Sequence, residues 1–292
     1  MTSETSAALH EISSPKRFAG GITVRVVRAG WFRPDAGGFF GVVPKPLWSR
    51  FVTADDRGRV LCRLNLLLVE ADGHRLLVET GTGVRMSEKD RDIKGVEGGD
   101  PAEALRAVGE DPASIDYVVV THLHYDHAGG MVDAAGRPVF PNARYVVQRG
   151  EIDFARTDNE RIRASYVRDD FEPVAALGMF EFVEGDARVD ARIDVLLAPG
   201  HTPFLHVPVI RTGEHTIAFL ADLVPTTSHV PFPYIMGYDL EPLRTLESKK
   251  RILGLAFREG WRLVFEHDDT IPLGVLHDDG GRLRAVPCAV EA

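Results

Sequence analysis

The chain has 292 residues, 44% hydrophobic and 26% charged, a globular balance that excludes a disordered tail protein and allows one large domain or two small ones. Lys and Arg total 34 against 43 Asp and Glu, a formal charge of −9. With no basic run, this argues against nucleic acid and anionic membranes, both of which need a cationic face.

Residues 1–20 are polar and mixed, lack the apolar core of a signal peptide, and are expected as a flexible tail. Thr23–Arg28 alternates as a half-buried strand does. Residues 30–53 are aromatic, rich in Gly and Pro, and aperiodic, so they read as a long loop that serves a pocket, a cover for the core or a homodimer interface. Leu61–Glu70 and Arg75–Glu79 flank Asp72-Gly73, a hairpin signal. Asp100 is placed to cap a helix from Pro101 through Leu105 to Val108. Tyr117–Thr121 and Arg144–Gln148 read as short strands, and Gln148–Arg168 as an irregular helix. Strands follow at Met179–Val183, Ile193–Ala198, His206–Arg211, Thr216–Leu220 and Arg262–Phe265. The clearest helix is Leu240–Arg258, with Asp239 as its cap, Pro242 in its first turn, and Leu243, Leu246, Lys250, Leu253 and Phe257 as its stripe. No run approaches the length of a membrane span. Cys62 and Cys288 give neither a disulfide framework nor a zinc-ribbon spacing, and read as reduced thiols of a soluble, cytoplasmic protein.

One segment carries the chemistry. His122, His124, Asp126 and His127 fall within six residues, directly after an apolar strand. Imidazole and carboxylate are donors for zinc and related divalent ions. Four such groups on one loop rarely complete two metal sites, so others should converge on them. His201 in Pro199-Gly200-His201-Thr202-Pro203, Asp222 in Leu220-Ala221-Asp222, and His267 in Phe265-Glu266-His267 each stand where an apolar strand opens into a loop.

This HxHxDH, Gly-His, Asp, His order resembles the metallo-β-lactamase-fold hydrolases, and Glu79-Thr80-Gly81-Thr82-Gly83 is similar to their Asp-Thr-Gly turn with Glu for Asp. Phe40-Gly41-Val42-Val43-Pro44-Lys45 and Tyr238-Asp239-Leu240-Glu241-Pro242-Leu243 resemble a lactonase-like branch, near the N-acyl homoserine lactonases and methyl parathion hydrolase. The resemblance implies an α+β fold, a four-layer αββα sandwich, and candidate donors from both halves of the chain imply a single domain over residues 21–292. It implies two divalent ions: His122, His124 and His201 on one, Asp126, His127 and His267 on the other, and Asp222 between them. Zinc is the default, with iron, manganese and cobalt admitted by the same donors. A bridging hydroxide would then attack a lactone or small ester carbonyl, with Asp126 and Asp222 among the catalytic groups. The alternatives are a phosphotriesterase or thioesterase on the same metals, and a non-catalytic metal-binding protein.

Two departures from the branch matter. The lactonase Tyr three residues after the bridging Asp is Pro225 here, and His229 is the candidate replacement, beside the alternative of a locally bonded loop His. Phe204 follows the Gly-His-Thr-Pro turn where a small residue is usual. Phe39, Phe40, Trp48, Phe204, Phe232 and Tyr234 are expected to line an apolar pocket, and Glu79 to orient a ligand His or pin its loop. His206 reads as structural, and no Arg/Lys cluster for a charged substrate is evident.

Overall fold

In strand β2 (Ile22–Phe32), Ile22, Val24 and Val26 are buried on one face, and Val27 and Ala29 pack on the other. Strand β3 (Cys62–Ala71) divides the same way, with Leu67 and Val69 facing inward and Leu64, Leu66 and Leu68 outward. Side chains alternate along a strand, so near-continuous apolar runs of this kind mean a sheet buried on both faces. The computed structural model describes residues 15–18 and 21–288.

The first sheet runs β1 (Lys16–Phe18), β2, β3, β4 (His74–Val78), β6 (Tyr117–Val119), β7 (Arg144–Gln148) and β8 (Phe180–Val183), with β5 (Glu97–Gly98) paired to β2. Strands β4 to β8 along that path are parallel, and β1 to β4 are antiparallel. The second sheet runs from β9 (Ala187–Arg188) through β10 (Ile193–Leu197), β11 (His206–Arg211), β12 (Thr216–Phe219), β13 (Arg262–Val264) and β14 (Leu273–Asp278) to β15 (Leu283–Pro287). Three cores separate four layers. Between the sheets, Val24, Val69 and Val119 meet Val195, Ile217 and Phe219. Outside the first sheet lie α4 (Pro101–Ala107), α6 (Arg149–Ala155) and α7 (Arg168–Ala176), which contribute Leu105, Ile152 and Phe171. Outside the second lies α8 (Pro242–Glu259), which contributes Ile252, Leu253 and Ala256. This is the αββα sandwich, and each buried Leu or Ile contributes about 1.5–3 kcal/mol of hydrophobic stabilisation.

The local differences from expectation have physical causes. Residues 30–53 are not one loop: β2 continues to Phe32, and short helices α1 (Ala36–Phe40) and α2 (Lys45–Trp48) follow. Asp35 caps α1 by accepting the Gly38 N–H at 2.8 Å. The helix expected over 148–168 stops at Ala155, and α7 begins only at Arg168. Helix α3 (Glu88–Lys94), too short and polar for periodicity to betray it, is capped by Ser87 and ended by Gly95 in the left-handed region. A further short helix is α5 (Tyr125–Ala128). On α8 the stripe is rotated: Thr245, Ser248, Lys249 and Ile252 are buried, whereas Leu243 is 77% exposed. The Asp72-Gly73 turn has positive φ at both residues, as a type I′ hairpin requires. Of the expected tail, residues 1–14 and 19–20 lie outside the described residues, and Lys16–Phe18 pairs with β2 rather than fraying. Neither Cys62 nor Cys288 forms a disulfide. Among the described residues, no helix is long and apolar enough to cross a membrane.

Candidate metal centre

The centre lies at one edge of the sandwich, where strands of both sheets end. After β6, Glu79 Oε1 accepts the Thr121 N–H at 3.0 Å, which pins the start of the His-rich loop. The chain then turns into α5, and this places Asp126 and His127 on a helical turn beyond His122 and His124. Thr80 holds that turn from below, its N–H and hydroxyl both donating to the His127 carbonyl at 3.0 and 2.6 Å. From the second sheet, His201 follows β10, Asp222 follows β12, and His267 follows β13. Two backbone bonds tie the sheets together beside it, Arg63 N–H to His267 O at 3.2 Å and Asn65 N–H to Glu266 O at 3.1 Å.

The seven expected donors converge as two groups. His122, His124, His201 and Asp222 bring donor atoms within 4.8 Å of one another, and so do Asp126, His127 and His267. His124 Nδ1 stands 3.1 Å from His122 Nε2 and 3.0 Å from His201 Nε2. Asp222 joins the groups through its two oxygens: Oδ2 is 3.1 Å from His201 Nε2, and Oδ1 is 3.0 Å from His267 Nε2. All seven residues are at most 7% exposed, so this chemistry is desolvated.

The donors fit divalent cations. Three imidazole nitrogens gathered around one point beside a carboxylate oxygen are an arrangement that a positive ion satisfies and neutral packing does not. His127 Nε2, Asp222 Oδ1 and His267 Nε2 are buried without an aligned hydrogen-bond partner, a costly state for polar atoms unless something else engages them. Burial and the neighbouring imidazoles hold His122 and His124 well below the usual His pKa, which keeps their lone pairs available. Burial also disfavours a charged His267, but the Asp222 and Glu266 carboxylates overcome it and raise its pKa to about 9. The same imbalance, a carboxylate facing several imidazoles against its own desolvation, lowers the Asp222 pKa well below the ordinary value.

A second ring of groups orients these side chains. Asp239 Oδ1 accepts from His201 Nδ1 at 2.9 Å, which leaves Nε2 toward the centre. His267 Nδ1 faces the Arg63 carbonyl at 2.8 Å, and His122 Nδ1 the Thr121 hydroxyl at 3.1 Å. Glu266 Oε2 and Glu79 Oε1 stand 3.1 and 3.5 Å from His127 Nδ1. Glu79 thus pins the loop and also stands beside His127. Glu151 is fully buried and receives the Leu123 N–H at 3.1 Å, the Tyr166 hydroxyl at 2.7 Å and the Thr202 hydroxyl at 2.8 Å, so it joins the two loops. Sequence reasoning missed Asp239, Glu151 and Glu266. Asp239 precedes α8 as a cap would, but α8 starts after Glu241 and the Asp239 carboxylate is spent on His201. Backbone strain gathers here too: Glu79 and Ala221, each beside the centre, have φ of 67° and 45°.

A cleft of about 450 Å³ opens onto the centre, with His124, Asp126, His201, Asp222 and His267 at its floor. Of the six aromatics expected to line it, only Phe39 does so. Phe40 is fully buried and stacks on Trp48, with centroids 5.3 Å apart. Phe204 packs on α6, where a Cβ on Gly150 would meet its ring at 2.3 Å. Phe232 packs on the outer core of the second sheet, and Tyr234 on that of the first. His229 is also corrected. It lies outside the cleft, Nδ1 against the Thr226 hydroxyl at 2.8 Å and Nε2 against the Phe39 carbonyl at 2.9 Å, and it stacks on Phe40. Both ring nitrogens are engaged, so it has no hydrogen bond to offer a substrate. Tyr238, Lys94 and Arg33 line the cleft instead.

A sandwich of this kind, with two donor clusters at one edge, defines a class of metal-site proteins. A model of the metallo-beta-lactamase superfamily matches residues 60–267, and the chain belongs to that superfamily. The chain is 31% identical over 169 residues to the N-acyl homoserine lactonase AttM of Azorhizobium caulinodans, covering 56% of this chain and 62% of that protein. It thus spans less than two thirds of that relative's length. A probable metal-dependent hydrolase from Staphylococcus aureus superposes with a TM-score of 0.85 at 27% identity, covering 93% of this chain and 98% of the other. AidC, a dizinc quorum-quenching lactonase, shares the fold with a TM-score of 0.83 at 21% identity, covering 98% and 100%.

Proposed function

We propose that the protein is a dinuclear metal-dependent hydrolase that opens the ester bond of a lactone or small ester. The observation that carries this reading is Asp222, whose two oxygens face two separate histidine-rich clusters at the floor of one cleft. His122, His124 and His201 would hold one ion, Asp126, His127 and His267 the other, and Asp222 both. When bound, such ions supply Lewis acidity and make water acidic enough to act as a nucleophile at neutral pH. Zinc is the proposed metal, as in AidC, which is a dizinc lactonase.

The chain's own residues do the rest. Asp239 fixes the His201 tautomer, and Glu79 and Glu266 place negative charge 3.5 and 3.1 Å from His127 Nδ1. Glu151 keeps the loops carrying His122, His124 and His201 in register through Leu123 and Thr202. Phe32, Phe39 and Met236 give the cleft an apolar wall against which the body of a substrate rests. The lactonase relatives support a lactone as substrate. The exposed Val42 and Phe51, at 90% and 57%, support the further reading of a homodimer through residues 30–53, which size-exclusion chromatography with light scattering tests. A cytoplasmic setting is the further proposal, which cell fractionation tests.

The test is elemental analysis of the purified protein, then turnover of lactones, aryl esters, aryl phosphotriesters and thioesters at matched concentration. His122→Ala and Asp222→Ala are expected to lose bound metal and lactone hydrolysis together. Hydrolysis that survives both substitutions and chelation refutes the mechanism, and a flat response to lactones refutes the substrate.

A further inference from the structure

The cleft has a wall that the hydrolase reading does not use. Lys94 ends α3 on that wall, with its Nζ 3.2 Å from the centroid of the Tyr125 ring. Tyr125 itself sits between His124 and Asp126, so the ammonium is held beside the metal-site loop by a cation–π contact. Arg33 lines the same cleft and is joined to Lys94 through the backbone, its N–H donating to the Lys94 carbonyl at 2.7 Å. The tie fixes the spacing of the two residues.

Four cations line the cleft, and they divide into two kinds. Arg57 and Arg59 are satisfied internally, by Asp92 at 3.2 Å and Asp55 at 2.9 Å. For Lys94 and Arg33, no carboxylate among the described residues lies within ion-pair distance. Asp35, also on this wall, is occupied in capping α1. Asp126, Asp90 and Asp170 act on Lys94 only from a distance, and burial works against its charge. Two half-buried cations without counter-ions, facing a cavity, are unfavourable unless an anion completes them. The same cleft is also lined by the apolar Phe39, Ile93 and Met236.

From this arrangement we infer that the substrate is an ester or lactone with an apolar body and a carboxylate remote from the scissile bond, and that Arg33 and Lys94 bind this carboxylate. The inference rests on the hydrolase reading and narrows its substrate. Both residues are specificity determinants, and neither is assigned to the bond-breaking step.

The test uses the metal-loaded full-length protein and Lys94→Met and Arg33→Gln variants, with folding and metal content checked first. The readout is the ratio of kcat/KM for a carboxylate-bearing aryl ester to that for its neutral methyl ester. Wild type is expected to favour the carboxylate, and each variant to lower the ratio by about 10- to 100-fold, mostly through KM. No preference in wild type, or a ratio that neither substitution changes, overturns the inference. A binding measurement separates this from the parent reading. Calorimetry should show adipate binding wild type more tightly than hexanoate, with that advantage lost in both variants. Equal binding of the two acids by wild type also overturns the inference. If the adipate advantage holds and no ester or lactone turns over, the hydrolase reading fails and the anion site stands.

Discussion

Removing the Asp239 carboxylate should weaken the metal centre without touching a donor. Asp239 is 6% exposed, His201 is 1% exposed, and their hydrogen bond is 2.9 Å long. In Asp239→Ala, His201 Nδ1 becomes a buried donor without a partner, and the ring loses the contact that directs Nε2 at His124 and Asp222. A hydrogen bond to a charged group contributes about 1.5–3 kcal/mol. Losing the orienting partner of a metal-binding His weakens affinity by about 10–100-fold, or about 1.4–2.8 kcal/mol. The two figures agree because they describe one interaction, and they should not be added. Competition titration against a chromophoric chelator reads the affinity, and thermal melting of the metal-loaded protein reads the stability. Asp239→Asn keeps an oxygen acceptor and should fall between wild type and Ala. If Asp239→Ala holds its metals within about twofold of wild type and melts at the same temperature, the carboxylate does not orient His201 and the reasoning fails.

Other expectations follow from different parts of the molecule. His206 is buried, burial lowers its pKa to about 3, and neither ring nitrogen has a hydrogen-bond partner among the described residues. Above pH about 6.5 it is neutral folded or unfolded; below that the unfolded chain binds a proton that the native one refuses until about pH 3, so stability falls across this window by about 1.4 kcal/mol per pH unit. His206→Leu should flatten that slope in urea denaturation at matched metal loading, and an unchanged slope refutes the assignment. Lys249 is fully buried on α8, and its Nζ donates to the carbonyls of His229 at 2.6 Å, Tyr234 at 2.7 Å and Pro231 at 3.0 Å. Lys249→Met should leave these carbonyls unpaired and cost about 3 kcal/mol or more, read as a lower urea midpoint. Chelation should lower the melting temperature, and the loss should reverse on adding zinc, because an ion held only by the folded state stabilises it by mass action.

The donors were legible from the letters because each stands where an apolar strand ends, and strand ends are readable from composition alone. His122 through His127 announce themselves by density, and His201, Asp222 and His267 by position. The supporting carboxylates were not legible. Asp239 resembles a helix cap because it precedes Pro242, and only the position of the His201 ring reveals its role. Glu151 lies on a short helix and Glu266 beside a donor, and nothing in either local pattern distinguishes a buried acid from a solvated one. The cleft lining failed for a related reason. Aromatic content alone does not say which face of a loop is inward: Phe39 and Phe40 are adjacent, yet only Phe39 reaches the cleft. The cationic wall was invisible because Arg33 and Lys94 are far apart in sequence and meet only through a backbone hydrogen bond.

The division of the donors between the sheets has a consequence for how the protein comes into being. His122, His124, Asp126 and His127 leave the first sheet, while His201, Asp222 and His267 leave the second. A growing chain that has folded only its first sheet holds an incomplete ring of donors. The last donor, His267, arrives with the strand end that also bonds to Arg63 and Asn65 across the sheets. The centre is therefore completed only when the second sheet meets the first, and a chain that stops short of His267 lacks one of its donors.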